Sequence, residues 1–95
     1  MEILHDEKGR RFHISLEGGY EAILLYRRVG EALELYHTEV PPESRQRGVA
    51  EQLVEAAFRY AEAHNLKVIP TCPYISGRFL QKRPEFLRLV FTRPS

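Results

Sequence analysis

A turn that carries two arginines and a glycine, directly before a long helical pattern, is the most chemically informative part of this 95-residue chain. The run from Val40 to Ala50 contains Arg45, Arg47 and Gly48. The first N–H groups of a helix lack partners within it, and the aligned peptide dipoles place roughly half a positive charge there. Gly48 allows a ligand close to the backbone, and the arginines can add charge-assisted hydrogen bonds. We therefore predict a turn that holds a diphosphate.

The elements that must position this turn are indicated by a change of hydrophobic period from two to 3.6 near Pro41. Short turns near Gly9, Gly18-Gly19 and Gly30 separate alternating runs, which favours an antiparallel meander. Its four strands are predicted to run through Ile3 and Leu4, through Phe12, Ile14 and Leu16, through Ala22, Leu24 and Tyr26, and through Leu33, Leu35 and His37.

The second part of the chain is predicted to form a helix, a strand and another helix. Apolar residues at helical spacing predict a helix from Gly48 to His64, and residues 66–70 form a short strand pattern. A strand, helix and strand in this order normally make a right-handed parallel crossover, so strand five should lie beside strand four. A second short helix is predicted from Tyr74 to Lys82, halted before Pro84, whereas residues 85–95 could be strand, helix or loose chain. The fold class is therefore mixed α/β (α+β), with a mostly antiparallel sheet of about five strands.

Composition limits the setting. Residues 1–95 suit one domain with a hydrophobic content of 43%, and a net charge of +1 favours neither nucleic acid nor a membrane surface as partner. The basic residues outside the motif turn are scattered, and Arg78, Lys82 and Arg83 are expected to solvate the surface. The four histidines and single cysteine, Cys72, form no metal-ligand spacing, so we expect no metal site. The unpaired cysteine and the absence of a signal-peptide pattern in the first residues favour a cytoplasmic location.

The turn also carries a family resemblance. Val40-x-Pro42-x-x-Arg45-x-x-Gly48-x-Ala50 matches V-x-P-x-x-R/Q-x-x-G-x-G/A, the acetyl-coenzyme A signature of GNAT-type N-acetyltransferases. The stretches His37–Pro42 and Pro70–Tyr74 resemble, more narrowly, the small single-domain YjdJ-like branch of that superfamily. The resemblance implies a GNAT-like fold in which strands four and five splay apart, with pantetheine in the opening and the pyrophosphate on the motif turn.

The resemblance also implies a ligand and a reaction. The ligand is acetyl-coenzyme A (acetyl-CoA), and the activity is transfer of its acetyl group to an amine acceptor that the sequence does not identify. Backbone groups of Thr38 and Val40 would contact pantetheine. The residues that would enclose the diphosphate are Arg45, Gln46, Arg47, Gly48, Val49 and Ala50.

Two departures from the family pattern bear on the chemistry. The first two strands are joined by a turn, where larger members have helices that shape the acceptor pocket. Leu80 aligns where many members carry a tyrosine that protonates the leaving thiolate, and leucine cannot donate a proton. Cys72, just after strand five, could act as a nucleophile or an acid, or be a small buried hydrophobe. Tyr74 could replace the missing acid, although we favour packing against Phe79.

His37 and Glu39 are the candidate general bases. Alternation along strand four puts both on one face, with Thr38 and Val40 on the other. Because an amine must lose a proton to attack a thioester, an imidazole or carboxylate beside the cleft could accept it. A solvated sheet face or a hydrogen-bonded histidine explains the same residues. Two other functions therefore stay open, namely a noncatalytic acyl-CoA-binding or sensing module and an interaction domain, and the sequence does not indicate the oligomeric state.

Overall fold

The chain forms a five-stranded sheet with helices on one face, as seen in a computed structural model that describes residues 2–92, except the side chains of residues 45–47. The strands follow one another in the order β1-β2-β3-β4-β5. The first four pair antiparallel, whereas β4 and β5 pair parallel. The predicted meander and crossover are thus confirmed. The strand bounds are β1 (Ile3–Asp6), β2 (Arg11–Ser15), β3 (Glu21–Val29), β4 (Ala32–Glu39) and β5 (Lys67–Ile69).

The main helix covers the inner face of the sheet. A 3-10 helix, Pro42–Arg47, follows β4 and leads through Gly48 into α1 (Val49–Ala63), one residue shorter at each end than predicted. Asn65 ends this region in the left-handed conformation (φ 56°) that asparagine tolerates. The fully buried residues of α1 recur at helical spacing, and the Val, Leu and Phe side chains among them each contribute roughly 1.5–3 kcal/mol relative to exposure. They are Val49, Leu53, Val54, Ala57, Phe58 and Ala61.

The helix predicted from Tyr74 to Lys82 is confirmed in extent but differs in type. Its first part, Tyr74–Phe79, is a π-helix, and its second part is α2 (Leu80–Lys82); we call the two together the second helix. The N–H of Leu80 donates to the carbonyl of Ile75, five residues back, as a π-helix requires. This wider turn keeps residues four positions apart on one side.

The C-terminal segment is neither one long strand nor loose chain over its described part. A 3-10 helix spans Pro84–Leu89, and Val90 then forms a parallel bridge with Val68. The N–H of Phe91 donates to the Val68 carbonyl at 2.8 Å. Because β4 flanks β5 on its other side, this bridge gives β5 a partner on both edges. Residues 93–95 of the predicted tail lie outside the described part of the chain.

A β-bulge in β4 changes which residues share a face. Leu25 pairs opposite His37 while its neighbour Tyr26 pairs opposite Leu35, so Tyr36 is the extra residue. Leu35 is fully buried, whereas the side chain of His37 is 51% exposed. Our assignment of His37 to the same alternating set as Leu33 and Leu35 is therefore wrong, because the bulge turns His37 to the outer face.

The Arg83 side chain was expected on a solvated surface, and the structure corrects this. It is 21% exposed and donates to Glu51 (3.1 Å), Glu55 (3.0 Å) and Glu85 (2.8 Å). Its guanidinium also lies over the Phe86 ring at 5.2 Å. The charged face of α1 is therefore partly covered by the segment after the second helix, and Arg83 joins the two.

Candidate functional site

The site begins where β4 and β5 separate. Their ladder ends with Glu34 opposite Ile69, although β4 continues to Glu39. Pro70 has no N–H to continue the ladder, and the Thr71 N–H turns back onto the Ile69 carbonyl at 3.0 Å. A last link runs from the Cys72 N–H to the Leu35 carbonyl, 3.0 Å away. Beyond this bond no further pairing links the end of β4 to the segment after β5 within the described residues. The family resemblance implies an opening at this place.

A groove runs from this opening past the start of α1 to the second helix. Its first section has a volume of about 440 Å³ and its second about 270 Å³. Three residues line both sections, which makes the groove continuous: Ala50, Tyr74 and Arg78. The first section is otherwise lined by His37, Thr38, Glu39 and Val40. The second is otherwise lined by Gly48, Glu51, Phe79 and Lys82.

The start of α1 borders both sections of the groove, since Ala50 lines both and Gly48 lines the second. Gly48 adopts φ 72°, a left-handed conformation that connects the 3-10 helix to α1. A Cβ at this position would meet no atom within 4 Å, so backbone conformation alone accounts for glycine in the free protein. Ala50 lines the groove, whereas the Val49 side chain is fully buried and leaves only its backbone for a ligand.

The arginines of the turn are described only in their backbone. Arg45, Gln46 and Arg47 belong to the 3-10 helix, but their side chains lie outside the described part of the structure. Their hydrogen bonds to a diphosphate therefore stay a prediction. Ser44, beside them, is a buried polar residue, and its N–H donates to the Pro41 carbonyl at 2.9 Å. This bond holds the backbone that precedes the arginines.

Cys72 lies behind the groove wall. It is 7% exposed and is absent from the side chains that line either section. Its Sγ donates a hydrogen bond to Thr38 Oγ1 at a distance of 3.6 Å, and Thr38 lines the first section. The thiol thus reaches the groove through the threonine hydroxyl, and a direct chemical role for Cys72 stays a prediction.

Tyr74, in contrast to Cys72, lies directly on the groove. It is half-buried and lines both sections of the groove. Burial raises the pKa of its phenol, and the nearby Glu51 carboxylate raises it further. The hydroxyl therefore stays protonated at neutral pH and can donate a proton or a hydrogen bond.

His37 and Glu39 lie on the outer face, opposite Thr38 and Val40, as predicted. Their side chains are exposed, and His37 Nε2 is 3.7 Å from Glu39 Oε2. Both residues border the first section, so an imidazole and a carboxylate lie beside Thr38 and Val40 at one end of the groove. This end also borders the open sheet face, since a turn over residues 7–10 is all that joins β1 to β2.

Arg78 and Lys82 are groove residues that the sequence interpretation assigned to the solvated surface. Both line the second section, and Lys82 Nζ is 3.0 Å from Glu51 Oε1. The hydrogen bond from Lys82 is the main reason that the pKa of Glu51 is lowered, so this carboxylate is ionised. The four-residue spacing of Tyr74, Arg78 and Lys82 was the signal in the sequence that could have placed them together.

Over residues 2–92, the structure contains no helix that is both long enough and apolar enough to span a bilayer.

Comparison with known proteins identifies the family. A family model described as GCN5-related N-acetyl-transferase matches residues 11–89. Protein NATD1 of Danio rerio is 40% identical over 87 residues, an alignment that covers 90% of this chain and 78% of that protein. Protein NATD1 of Homo sapiens is 37% identical over 86 residues, covering 88% and 75% respectively.

A solved structure extends this similarity to the fold. The NMR solution structure of a GCN5-like protein from Staphylococcus aureus matches with a TM-score of 0.74 and 27% sequence identity. The match covers 98% of this chain and 90% of that one. With a family model over most of its length and relatives well above 30% identity, this chain belongs to the GCN5-related N-acetyltransferase (GNAT) family.

Proposed function

We propose that this protein transfers an acetyl group from acetyl-CoA to an amine acceptor. The observation that carries the proposal is the continuous groove, which begins beside His37 and Glu39 and passes the glycine turn at the start of α1. Family membership supports an acetyltransferase-like activity. A cytoplasmic setting is part of the proposal and is supported by the single, unpaired cysteine.

The residues of the first section suit the pantetheine arm. This arm is narrow and carries amide groups, and the β4 segment that borders the section extends past the end of the β4–β5 ladder. The backbone of Thr38 and Val40 would contact it, with Val40 and Ala50 adding apolar surface. The diphosphate would lie against Gly48, Val49 and Ala50, where the helix start favours an anion. Acetyl-CoA would supply the acetyl group in activated form, as a thioester.

Glu39 and His37 would accept the proton that the acceptor amine loses. Both lie at the entrance of the first section and are exposed to solvent, so either can pass the proton onward to water. The exposed sheet face beside them gives an acceptor direct access. A general base of this kind typically contributes about 10²–10⁴-fold to the rate.

Tyr74 is the side chain that we favour as proton donor to the leaving thiolate, with Cys72 as the alternative. Tyr74 lines the groove and keeps its proton because its pKa is raised, whereas the Cys72 thiol already donates to Thr38. Leu80, at the position of the family tyrosine, is buried in the core and takes no part. The carbon–sulfur bond would break as the carbon–nitrogen bond forms, with one proton lost at nitrogen and one gained at sulfur.

Two measurements test the proposal in sequence. Calorimetric titration with acetyl-CoA should give saturable binding, and failure to bind at millimolar concentration would contradict any acyl-CoA function. Release of free thiol across a panel of amines should then reveal turnover. Tyr74→Phe should slow thiol release about tenfold or more while leaving affinity for acetyl-CoA nearly unchanged. If Cys72→Ala slows release and Tyr74→Phe does not, the proton donor is Cys72.

A noncatalytic acyl-CoA-binding module is the second candidate. It is favoured by Leu80 at the tyrosine position and by the turn that replaces acceptor-shaping helices between β1 and β2. This reading predicts tight acetyl-CoA binding without thiol release above the buffer rate for any amine tested. A matched assay of Glu39→Gln would then show no further loss.

A further inference from the structure

We infer that Arg78 and Lys82 form a subsite for the 3′-phosphate of coenzyme A, through which the protein distinguishes coenzyme A from its 3′-dephospho form. The inference rests on the proposed function, because it assigns the second section of the same groove. It adds a recognition element on the second helix to the motif turn on α1.

The π-helix places both cations on the groove. In a regular α-helix, side chains four positions apart rotate progressively around the axis, since one turn holds 3.6 residues. The wider turn over Tyr74–Phe79 offsets this drift, and Tyr74, Arg78 and Lys82 consequently all line the second section. π-helical turns occur frequently at functional sites, where they realign side chains in this way.

Arg78 has the charge and freedom to bind an anion. Five other arginines form ion pairs with carboxylates: Arg11, Arg27, Arg59, Arg83 and Arg88. Arg78 is exposed and forms no ion pair within the described residues, although it lines both sections of the groove. A guanidinium matches phosphate oxygens through paired N–H donors.

Lys82 can join Arg78 without leaving a carboxylate unsatisfied. Glu51 binds Lys82 through Oε1 and Arg83 through Oε2, at 3.0 and 3.1 Å. When Lys82 turns toward a phosphate, Glu51 keeps its bond to Arg83, and Glu55 is shared between Arg83 and Arg59. The four cations of this cluster exceed its three carboxylates by one charge, so the groove side keeps a net positive charge: the cations are Arg59, Arg78, Lys82 and Arg83, and the carboxylates are Glu51, Glu55 and Glu85.

The order of groups in coenzyme A matches the order of surfaces in the groove. With pantetheine in the first section and the diphosphate on the Gly48 turn, the adenosine with its 3′-phosphate reaches the second section. A phosphate monoester carries close to two negative charges at neutral pH. It carries more charge than either single phosphate of the diphosphate, and Arg78 and Lys82 are the cations that line this section.

The test compares coenzyme A with 3′-dephospho-coenzyme A by calorimetric titration of the wild-type chain and of Arg78→Gln/Lys82→Gln. The wild type should bind coenzyme A about tenfold more tightly, since charged hydrogen bonds of this kind contribute that much. In the double variant the ratio should fall close to one, with affinity for the dephospho form changed less than about twofold. Arg28→Gln, an exposed arginine on β3 that donates to the Gly30 carbonyl, is the matched control and should keep the wild-type ratio.

Two outcomes would overturn the inference: equal wild-type affinity for the two ligands, or a preserved ratio in the double variant, including the case in which both affinities fall equally. Competition in the wild type adds a measurement that needs no variant, because adenosine 3′,5′-bisphosphate should displace coenzyme A better than adenosine diphosphate does. Failure of the proposed function is distinguishable, since neither form of coenzyme A would then bind to the wild type.

Discussion

The two halves of β4 have the same strand geometry but opposite surroundings. From Ala32 to Glu34 the strand is paired on both sides, with β3 and with β5, and the Leu35 carbonyl accepts the last link from Cys72. Leu33 and Leu35 are buried. From His37 to Glu39 it is paired with β3 only, and its outer residues are exposed. The first half stabilises the fold, and the second half borders the groove.

The boundary between the halves consists of two local features. The bulge at Tyr36 reverses the alternation, and Pro70 ends the partner strand. Together they free one strand edge for a ligand without exposing the core, because Thr38 and Val40 still point to the inner side. A strand can therefore be structural along one half and functional along the other, and substitutions should separate the two.

The largest effect is expected in the paired half. Leu35→Ala should lower the free energy of unfolding by about 2–5 kcal/mol, because it leaves a cavity beneath β3 and α1. Urea denaturation followed by circular dichroism measures this. Glu31→Ala, an exposed residue in the turn before β4, is the control and should change stability by less than about 0.5 kcal/mol. Similar losses in the two variants would remove the distinction between the halves.

The open half should respond in activity and not in stability. Glu39→Gln should reduce thiol release about a hundredfold, because the amine loses its proton acceptor, while unfolding and acetyl-CoA affinity stay near wild type. Glu31→Gln, at the other end of the strand, should retain wild-type turnover. Equal turnover in Glu39→Gln and wild type would reject the assigned role of this carboxylate.

Two glycines offer a second contrast, because Gly48 lines the groove and Gly77 lies within the second helix. A Cβ would meet open space at both Gly48 and Gly77, but only Gly48 has a positive φ. Gly48→Ala should therefore cost about 1–2 kcal/mol of stability. Gly77→Ala, in a helical segment, should be neutral or stabilise by about 0.4–1 kcal/mol. Equal thermal midpoints for the two variants would show that the left-handed conformation of Gly48 does not constrain the turn.

The smallest effect is expected at the β1 edge of the sheet, where His5 stacks on Phe12 and shares a hydrogen bond with the Tyr26 hydroxyl. Burial lowers the pKa of His5 from 6.5, with smaller opposing effects from Glu7 and Asp6. The unfolded chain then binds a proton before the folded one, so stability should be highest above about pH 6.5 and fall as the pH drops toward the folded-state pKa. Urea titrations between pH 7.5 and about pH 5 should show a shallower decline for His5→Gln than for wild type. An identical decline would assign the pH dependence to other groups.

Much of this architecture could be predicted because local pattern determines it. Period-two alternation predicted the meander, and helical spacing predicted α1 to within one residue at each end. The motif turn was found from its glycine and flanking elements. These features depend on residues close in sequence, which a pattern can report.

The features that escaped prediction depend on contacts between distant segments. The bulge that reorients His37 leaves no Gly or Pro signal near Tyr36, and the pairing of Val90 with β5 follows from packing of the whole tail. Tyr74 and Arg78 were read as packing and surface residues, because a π-helix cannot be distinguished from an α-helix by apolar spacing alone. The buried position of Cys72 beside Thr38 likewise requires the β4 edge to be in place.

The most direct test of the account is a titration of the 15N-labelled protein with acetyl-CoA, followed by backbone amide chemical shifts. The largest chemical-shift changes are expected at residues 38–40, 48–51 and 74–82, which comprise the end of β4, the start of α1 and the second helix. The amides of His5 and Tyr26, whose side chains meet at the β1 edge of the sheet, and of Leu35 in β4 should change little. Saturable chemical-shift changes confined to the β1 edge of the sheet, or no changes at millimolar ligand, would contradict the assignment of the groove.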